Sequence, residues 1–240
     1  MTTVPLHQQD PMARSAEARI EAITPEGGLL CDRSVFYPKG GGQPGDSGWL
    51  RWSEGEIAIA DTVKGENGAI ILQPAEGEPT PAPGTAVVQT LDWPRRLAHM
   101  RVHTALHLLS VVLPLPVTGG QIGAGRGRLD FDMPEAPEDK EALGAALNAL
   151  IARDLPVLES WITDAELAAR PEMVKTMSVK PPSGQGHVRL IGIGEGADQV
   201  DLQPCGGTHV PRTGQIGAVR IAKIEKKGRQ NRRVTIELDA

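Results

Sequence analysis

The chain has 240 residues and a net charge of −5, with 40 % hydrophobic and 23 % charged residues. These values are typical of a globular protein with one large or two small domains, and they exclude a protein that coats nucleic acid broadly. Aromatic residues make up only 3 %, which argues against a single-stranded RNA reader built on stacked aromatic rings.

The two cysteines, Cys31 and Cys205, are too few for a disulfide framework. The N-terminal segment lacks the basic start and apolar core of a secretory signal. No apolar run approaches the ~20 residues that a membrane-spanning helix needs. We therefore expect a cytoplasmic protein with no membrane association.

Residues 16–90 predict β structure, because short apolar stretches alternate with Gly, Pro and acidic turn residues. Many short strands with frequent turns are typical of a small barrel or sandwich. We place a domain boundary near residue 92. This gives an N-terminal β-barrel domain over 1–92 and a second domain over 93–240.

The second domain is predicted to be α+β. Pro94 suits the first turn of a helix over 94–113, where apolar residues recur at helical spacing. A second helix is predicted near 137–153, and Thr163 followed by Glu166 indicates a capping box that opens a third, short helix. Strands are predicted over 128–132, 187–193, 216–225 and 231–238.

Two segments of the second domain each place two metal ligands four positions apart: His103 with His107, and Cys205 with His209. Imidazole and thiolate together suit zinc. A single histidine on an apolar helix face is more often a hydrogen-bonded core residue, but two spaced pairs favour one shared zinc site. His99 continues the helical stripe as an alternative ligand, an outer partner of the metal or an RNA-facing residue.

The glycine-rich segment 39–48 is not a phosphate-binding P-loop, because the required Gly-Lys-Ser/Thr spacing is absent. It is either a tight hairpin turn or a place where the backbone approaches a ligand closely. Segments 123–127 and 192–196 lack a complete dinucleotide fingerprint and are predicted to be turns. We therefore expect no requirement for ATP.

A basic segment lies near the C-terminus. Residues 220–233 hold seven Lys and Arg side chains and one acid, a balance of +6 that leaves −11 for the remainder. Such a run is either a solvated surface or a patch that meets an anionic partner at one place.

Four motifs, in order, resemble the editing region of alanyl-tRNA synthetases. They cover residues 36–44 (FYPKGGGQP), 92–96 (DWPRR), 103–109 (HTALHLL) and 204–210 (PCGGTHV). More closely, nearly the whole chain resembles the free-standing alanyl-tRNA editing proteins called AlaX, in their medium-length form. The resemblance implies a threonyl/alanyl-tRNA synthetase editing-like fold after the barrel. It also implies a hydrolase that deacylates mischarged tRNA(Ala), chiefly Ser-tRNA(Ala) and also Gly-tRNA(Ala).

The resemblance also implies residue roles. His103, His107, Cys205 and His209 take the positions that hold one zinc ion per chain. Gly40, Gly41, Gly42 and Gln43 become pocket residues, with Gln43 in a catalytic role, and Arg229, Arg232 and Arg233 contact tRNA phosphates. Synthetases commonly carry Thr where this chain has Leu106, so Thr104 and Gln121 are candidates for the missing polar contact at the reaction site.

Two other functions are compatible with the sequence. Four protein ligands resemble a closed structural zinc site, whereas catalytic zinc usually keeps a position open. The chain is therefore alternatively a non-catalytic, zinc-stabilised RNA-binding module, or a metallohydrolase of small esters. The pattern leaves both a monomer and a homodimer open.

Overall fold

The computed structural model describes residues 2–77, 79–137, 139–177 and 186–239. Contacts divide the chain into two compact units, Met1–Leu97 and Ala98–Ala240. Within the described residues, no helix combines the length and apolar character that crossing a bilayer requires. The boundary predicted near residue 92 stays a prediction.

The first unit is built on a closed barrel of six strands. Its elements are β1 (Val4–Pro5), α1 (Leu6–Gln9), β2 (Ser15–Ile23), β3 (Leu29–Cys31), β4 (Arg33–Ser34), β5 (Gly48–Trp52), β6 (Gly55–Lys64), β7 (Ile70–Pro74) and β8 (Ala86–Leu91). The barrel has the order β2-β3-β7-β6-β5-β8, and β1 pairs in parallel with β4 outside it. The predicted N-terminal β-barrel is confirmed.

Side-chain alternation explains the barrel core. In β8 every second residue is buried, which places Val87, Gln89 and Leu91 inside and leaves their neighbours exposed. Ile20 and Leu50 are fully buried in the same core. The alternation therefore turns mainly apolar side chains of this strand into the barrel interior, and the buried Gln89 is hydrogen-bonded to the backbone of Val35 and Arg33.

The glycine-rich segment folds into a tight turn in the first unit. Gly40 and Gln43 exchange backbone hydrogen bonds of 3.1 and 2.9 Å. Gly41 and Gly42 between them have φ values of 57° and 83°. Two successive residues with positive φ are characteristic of type I′ turns, which glycine forms without steric cost. The Gln43 side chain is buried.

A buried ion pair holds the chain that follows this turn. The Arg96 guanidinium donates through Nε to both carboxylate oxygens of Asp46, at 3.0 and 2.8 Å, and through its terminal nitrogens to the carbonyl oxygens of Val35 and Pro11. The backbone N–H of Tyr37 donates to the same carboxylate at 2.6 Å. Both charged side chains are buried, and they are satisfied by each other and by the backbone.

The second unit combines two sheets with helices. Its elements are α2 (Trp93–Val112, shared with the first unit), β9 (Val117–Ile122), β10 (Arg126–Asp132), α3 (Lys140–Ala152), β11 (Val157–Thr163), α4 (Asp164–Ala168), β12 (His187–Ile193), β13 (Asp201–Pro204), β14 (Val219–Lys226) and β15 (Asn231–Leu238). One sheet has the order β14-β15-β10-β9, and the other β11-β12-β13.

Helix α2 packs closely on the four-stranded sheet at Gly127. A Cβ atom added there would lie 2.4 Å from Val102 Cγ1 and 3.1 Å from Leu106 Cδ1, both on α2. Gly127 pairs with Ile236, which pairs in turn with Ile221, so these three residues share the face that meets the helices. This face forms one part of the core of the second unit, and a separate apolar cluster contains Leu167, Met173, Val188 and Leu190.

The predicted elements of the second unit are largely confirmed. The helix predicted over 94–113 is α2, and the capping box is present, because Thr163 Oγ1 accepts from Glu166 N and the Glu166 carboxylate accepts from Thr163 N. The helix predicted near 137–153 is α3, with residue 138 outside the described residues. The four predicted strands correspond to β10, β12, β14 and β15, whereas β9, β11 and β13 were not predicted.

Removing one partner of the buried Arg96–Asp46 pair should destabilise the fold strongly. We expect Asp46→Ala to lower the free energy of unfolding by about 3–5 kcal/mol, because it leaves a guanidinium buried without its counter-ion. Glu56→Ala is the matched control, because the Arg51–Glu56 pair is exposed and should contribute less than about 1 kcal/mol. Equal losses in urea unfolding of the two variants would contradict this account.

Candidate metal centre

Three imidazoles and one thiol meet in the second unit. One ligand atom from each of His103, His107, Cys205 and His209 lies within 4.8 Å of all the others, and the three histidines are buried. The ring centroid of His209 lies 4.2 Å from that of His103 and 4.6 Å from that of His107. Helix α2 supplies two of the ligands, because positions i and i+4 share one helix face.

The distances between donor atoms fit a tetrahedral ion. Cys205 Sγ lies 3.4 Å from His103 Nε2 and 3.3 Å from His209 Nε2. Zinc bonds of ~2.3 Å to sulfur and ~2.0 Å to nitrogen at a tetrahedral angle require a separation of about 3.5 Å between these atoms. The four residues could therefore hold a metal ion with little rearrangement.

The segment that carries Cys205 and His209 follows β13 and is fixed by Arg189 of β12. The Arg189 guanidinium donates to the carbonyl oxygens of Cys205 and Gly207, at 3.0 and 2.8 Å. Its Nε atom donates to Glu159, so the buried charge is also paired. This arginine holds the two ligands of the segment beside those of the helix.

Thr104 determines which nitrogen of His209 faces the cluster. Its hydroxyl donates to the Met100 carbonyl oxygen one helical turn earlier, at 2.9 Å. A hydroxyl has one proton, so Thr104 Oγ1 must accept at its other contacts, from Val210 N and from His209 Nδ1 at 3.2 Å. The His209 proton therefore lies on Nδ1, and the Nε2 lone pair points at the cluster.

Asp201 performs the corresponding task for His107. His107 Nδ1 donates to Asp201 Oδ2 at 3.0 Å, which leaves Nε2 for the cluster. Lys175 donates to the other oxygen of Asp201 at 2.5 Å, and Gln203 Nε2 donates to Oδ2 at 2.7 Å. A ligand histidine held by a carboxylate is a common outer arrangement of metal sites, and it raises the basicity of the ring.

The environment sets the charges of the ligands. Burial raises the pKa of Cys205, but electrostatic interaction with His103 and His209 and hydrogen bonds from His103 and His107 outweigh it and hold this pKa well below its usual range. Burial and the neighbouring His103 charge lower the pKa of His209 to about 3. The thiolate and the neutral imidazole are the forms that bind metals.

His107 behaves differently from His209. Burial lowers its pKa, but hydrogen bonds to Asp201 and Cys205 and the charges of both raise it to about 9. Burial of Asp201 is likewise outweighed by His107 and Lys175, so that its pKa falls to about 2. In the absence of metal, His107 and Asp201 therefore form a charged pair beside the thiolate.

The remaining predicted site residues lie elsewhere. Gln121 is exposed on β9 and accepts a hydrogen bond from Arg128 Nε. Arg229 is exposed in the turn between β14 and β15, and Arg233 binds Asp130, whereas Arg232 is buried and donates to the carbonyl oxygens of Gly228, Asn231 and Pro134.

Three further features concern the helix and the glycine-rich turn. Leu106 packs against the sheet. His99 is buried on α2 outside the four-ligand cluster. Gly40–Gln43 form the turn of the first unit, and their assignment to a pocket, like the catalytic assignments of Gln43, Thr104 and Gln121, stays a prediction.

The sequence patterns missed the residues that support the ligands. Asp201, Lys175 and Arg189 do not belong to a pair of metal-ligand types four positions apart. Their contacts join residues that are 94, 26 and 16 positions apart in sequence. A weak signal exists for Arg189, which interrupts an otherwise apolar predicted strand.

Removing the Thr104 hydroxyl should weaken metal binding. We expect Thr104→Val, which keeps the side-chain shape, to lower zinc affinity by about 10–100-fold, because the Nδ1 proton of His209 loses its acceptor. Thr104→Ser keeps the hydroxyl and should stay near the wild-type affinity. Competition with a chromophoric chelator measures both, and equal affinities for the two variants would contradict the role of the hydroxyl.

Metal binding should release a proton. A pKa raised to about 9 means that His107 is protonated in the metal-free protein below that pH. An ion must displace at least this proton, so binding at pH 7 should release protons and should weaken as the pH falls. Calorimetry in two buffers of different protonation enthalpy counts the protons, and identical heats in both buffers would contradict this expectation.

Comparisons with known proteins show which families the chain resembles. Residues 188–235 match the family described as "Threonyl and Alanyl tRNA synthetase second additional domain", and residues 9–95 match "tRNA synthetases class II (A)". The alanine–tRNA ligase of Pyrobaculum arsenaticum is 34 % identical over 92 % of this chain. The chain spans only 25 % of the length of that ligase.

Shorter relatives match from end to end. The alanyl-tRNA editing protein AlaX-M of Methanosarcina barkeri is 34 % identical over 98 % of this chain and 99 % of its own length. AlaX-M of Methanosarcina acetivorans is 33 % identical over 99 % of both chains. With identity above 30 % along the full length of these relatives, the chain belongs to the AlaX family of alanyl-tRNA editing proteins, in its medium-length form.

Proposed function

We propose that this protein hydrolyses the ester bond of mischarged tRNA(Ala), chiefly Ser-tRNA(Ala) and also Gly-tRNA(Ala). In this reaction the oxygen of water adds to the ester carbonyl carbon, the bond between that carbon and the ribose oxygen breaks, and the ribose oxygen takes up a proton to become a hydroxyl. The observation that carries the proposal is the end-to-end similarity to proteins named alanyl-tRNA editing proteins. The four-ligand cluster supports it, because it gives the chain a place for a metal that assists hydrolysis.

We further propose that the ion is zinc, with one ion for each chain. The donor set of one thiolate and three imidazoles suits zinc, and the spacing of the donor atoms fits its bond lengths. When bound, zinc polarises a carbonyl or lowers the pKa of water. Four protein donors would leave no position open in a tetrahedral site. Either one donor would be loose, the coordination number would rise, or the metal would position the substrate without activating water.

The protein's own residues prepare this chemistry. Thr104 and Asp201 fix two rings with their Nε2 atoms inward, and Arg189 holds the loop that bears the thiolate. Lys175 balances the charge of Asp201, so the buried carboxylate can hold His107 without carrying an unpaired charge. These contacts keep the donor atoms in place before any substrate arrives, which is what a preorganised site requires.

Selectivity should depend on the serine hydroxyl. A site that hydrogen-bonds a substrate hydroxyl can reject the analogue that lacks it by ~10⁴-fold, because its own polar groups are then left unpaired. Correctly charged Ala-tRNA(Ala) lacks this hydroxyl and should be spared. Glycine also lacks this hydroxyl and should be released more slowly than serine, but it carries no methyl group that such a site must exclude.

The decisive experiment is a deacylation panel. Zinc-loaded protein should release serine from Ser-tRNA(Ala) rapidly, glycine from Gly-tRNA(Ala) more slowly, and alanine from Ala-tRNA(Ala) at close to the uncatalysed rate. Acid gel electrophoresis or a labelled amino acid follows the release. Failure of the zinc-loaded protein to release serine would overturn the proposal, and tRNA binding without release would support the non-catalytic RNA-binding module instead.

Substitution of the thiolate provides the matched test of the centre. Cys205→Ala should weaken zinc binding strongly, because only three imidazoles remain, and should lower serine release by about 100-fold, while affinity for uncharged tRNA(Ala) changes little. Cys31→Ala is the control, because this second free cysteine is buried in the barrel, where burial raises its pKa to about 12. Wild-type zinc affinity in Cys205→Ala would remove Cys205 from the ligand set, and an active, metal-free variant would show that the reaction does not need zinc.

A further inference from the structure

The four-stranded sheet of the second unit has a second face that the metal centre does not use. Gly127, Ile236 and Ile221 lie in one row and face the helices. Successive residues of a strand point to opposite faces. The next row of paired residues therefore points away from the helices, and we call this side the open face of the sheet.

The row on the open face crosses all four strands. It consists of Gln121, Arg128, Thr235 and Lys223, each paired with the next. The adjacent row contains Asp130, Arg233 and Glu225. Polar and charged side chains thus occupy a surface about three strand spacings wide, or ~14 Å.

A groove with a volume of about 450 Å³ runs along this face. Its lining holds five cationic side chains and one acidic one, Glu225. The cations are Arg126, Arg128, Lys223, Lys227 and Arg233. In a chain whose net charge is −5, this groove concentrates positive charge in one place.

Two of the arginines are oriented in advance by one carboxylate. Arg233 donates to Asp130 through Nε at 2.8 Å and through a terminal nitrogen at 2.9 Å, and Arg128 donates to the same carboxylate at 2.6 Å. Two guanidinium groups around one carboxylate leave one net positive charge. The contacts with Asp130 also fix the planes of both guanidinium groups, and planar groups held in this way suit the binding of phosphate oxygens.

The other cations are available to a partner. Arg126 and Lys223 are more than half exposed, and they contact Glu237 and Glu225 respectively. Exposed ion pairs of this kind contribute about 0–1 kcal/mol. Breaking such a pair therefore costs little free energy when the cation binds a phosphate instead.

The basic residues of the C-terminal segment do not all face the groove. Arg232 points away from the groove and donates to backbone carbonyl oxygens, as described above. Arg233, its neighbour on β15, faces the groove with Arg128. Arg126 and Arg128 belong to β10, far from the basic segment in sequence, and the sheet brings them beside it.

We propose that the open face of the sheet binds the phosphodiester backbone of the tRNA substrate, with Arg128, Lys223, Lys227 and Arg233 as the principal contacts. This inference rests on the proposed function, because it identifies the surface that holds the same substrate. Lysine and arginine contacts with phosphates position an RNA without reading its bases. Binding at this face should therefore depend steeply on salt and little on sequence.

The test is the salt dependence of tRNA binding by the full-length, zinc-loaded protein. Wild type, Arg128→Gln/Lys223→Gln and Lys223→Gln/Lys227→Gln are titrated with uncharged tRNA(Ala) at several salt concentrations. The slope of log affinity against log salt should become shallower by about 0.7–0.9 for each phosphate-binding cation removed, or roughly 1.5 for each double variant. In deacylation the variants should raise KM and leave kcat unchanged.

Lys140→Gln/Arg153→Gln is the matched control. It removes the same charge from exposed positions of α3 and its end, outside the groove, and should keep the wild-type slope. The second groove variant changes two lysines only, so it preserves the Arg128–Asp130–Arg233 cluster if the first variant folds poorly. Unchanged zinc content and an unchanged urea midpoint identify folded protein.

The results separate this proposal from the proposed function. Wild-type slopes in both folded groove variants would overturn the assignment of the open face, even with normal release of serine. Altered binding of inorganic phosphate with unchanged tRNA affinity would assign the groove to a small anion and also overturn it. Absence of serine release by wild type, with shallower slopes in the groove variants, would overturn the proposed function and retain the open face as an RNA-binding surface.

Discussion

The hydrogen bond between Thr104 and His209 connects the two segments that build the metal centre. It joins a helix residue next to His103 to the loop that carries Cys205, across 105 positions of sequence. The same hydroxyl accepts from Val210 N, so one oxygen atom orients a ligand ring and anchors the chain after it. The direction of the His209 ring depends on this connection, while Asp201 orients His107 and Arg189 holds the segment that carries the thiolate.

The four-stranded sheet gives the second unit two chemically different sides. One side packs apolar residues against the helix that bears two metal ligands, and the other carries guanidinium and ammonium groups. Strand alternation produces both from a single run of residues, since Arg128 immediately follows Gly127 and Thr235 precedes Ile236. A protein that must hold a large anionic substrate and a small reaction site can thereby place both functions on one scaffold.

Much of this arrangement follows from local sequence patterns. Short apolar stretches separated by turn residues predicted the barrel, and the helical period predicted α2. The four-residue spacing within each pair predicted the four residues of the cluster, and a shared helix face explains the pair His103 and His107. The residues that support the ligands were not predictable in this way. Asp201 and His107 are 94 positions apart, and their contact exists only because β13 passes beside α2. Arg128 and Lys223 meet through strand pairing, which no local pattern specifies.

The glycine at position 127 has a consequence for the whole helix above it. Because Val102 and Leu106 lie against bare backbone there, any side chain at this position would have to lift α2 from the sheet or displace a β-branched neighbour. Such a shift would carry His103 and His107 with it, while the loop ligands stayed with β13. A substitution at a residue that touches no ligand can thus weaken metal binding. The distance between α2 and the sheet therefore affects the reactivity of the centre.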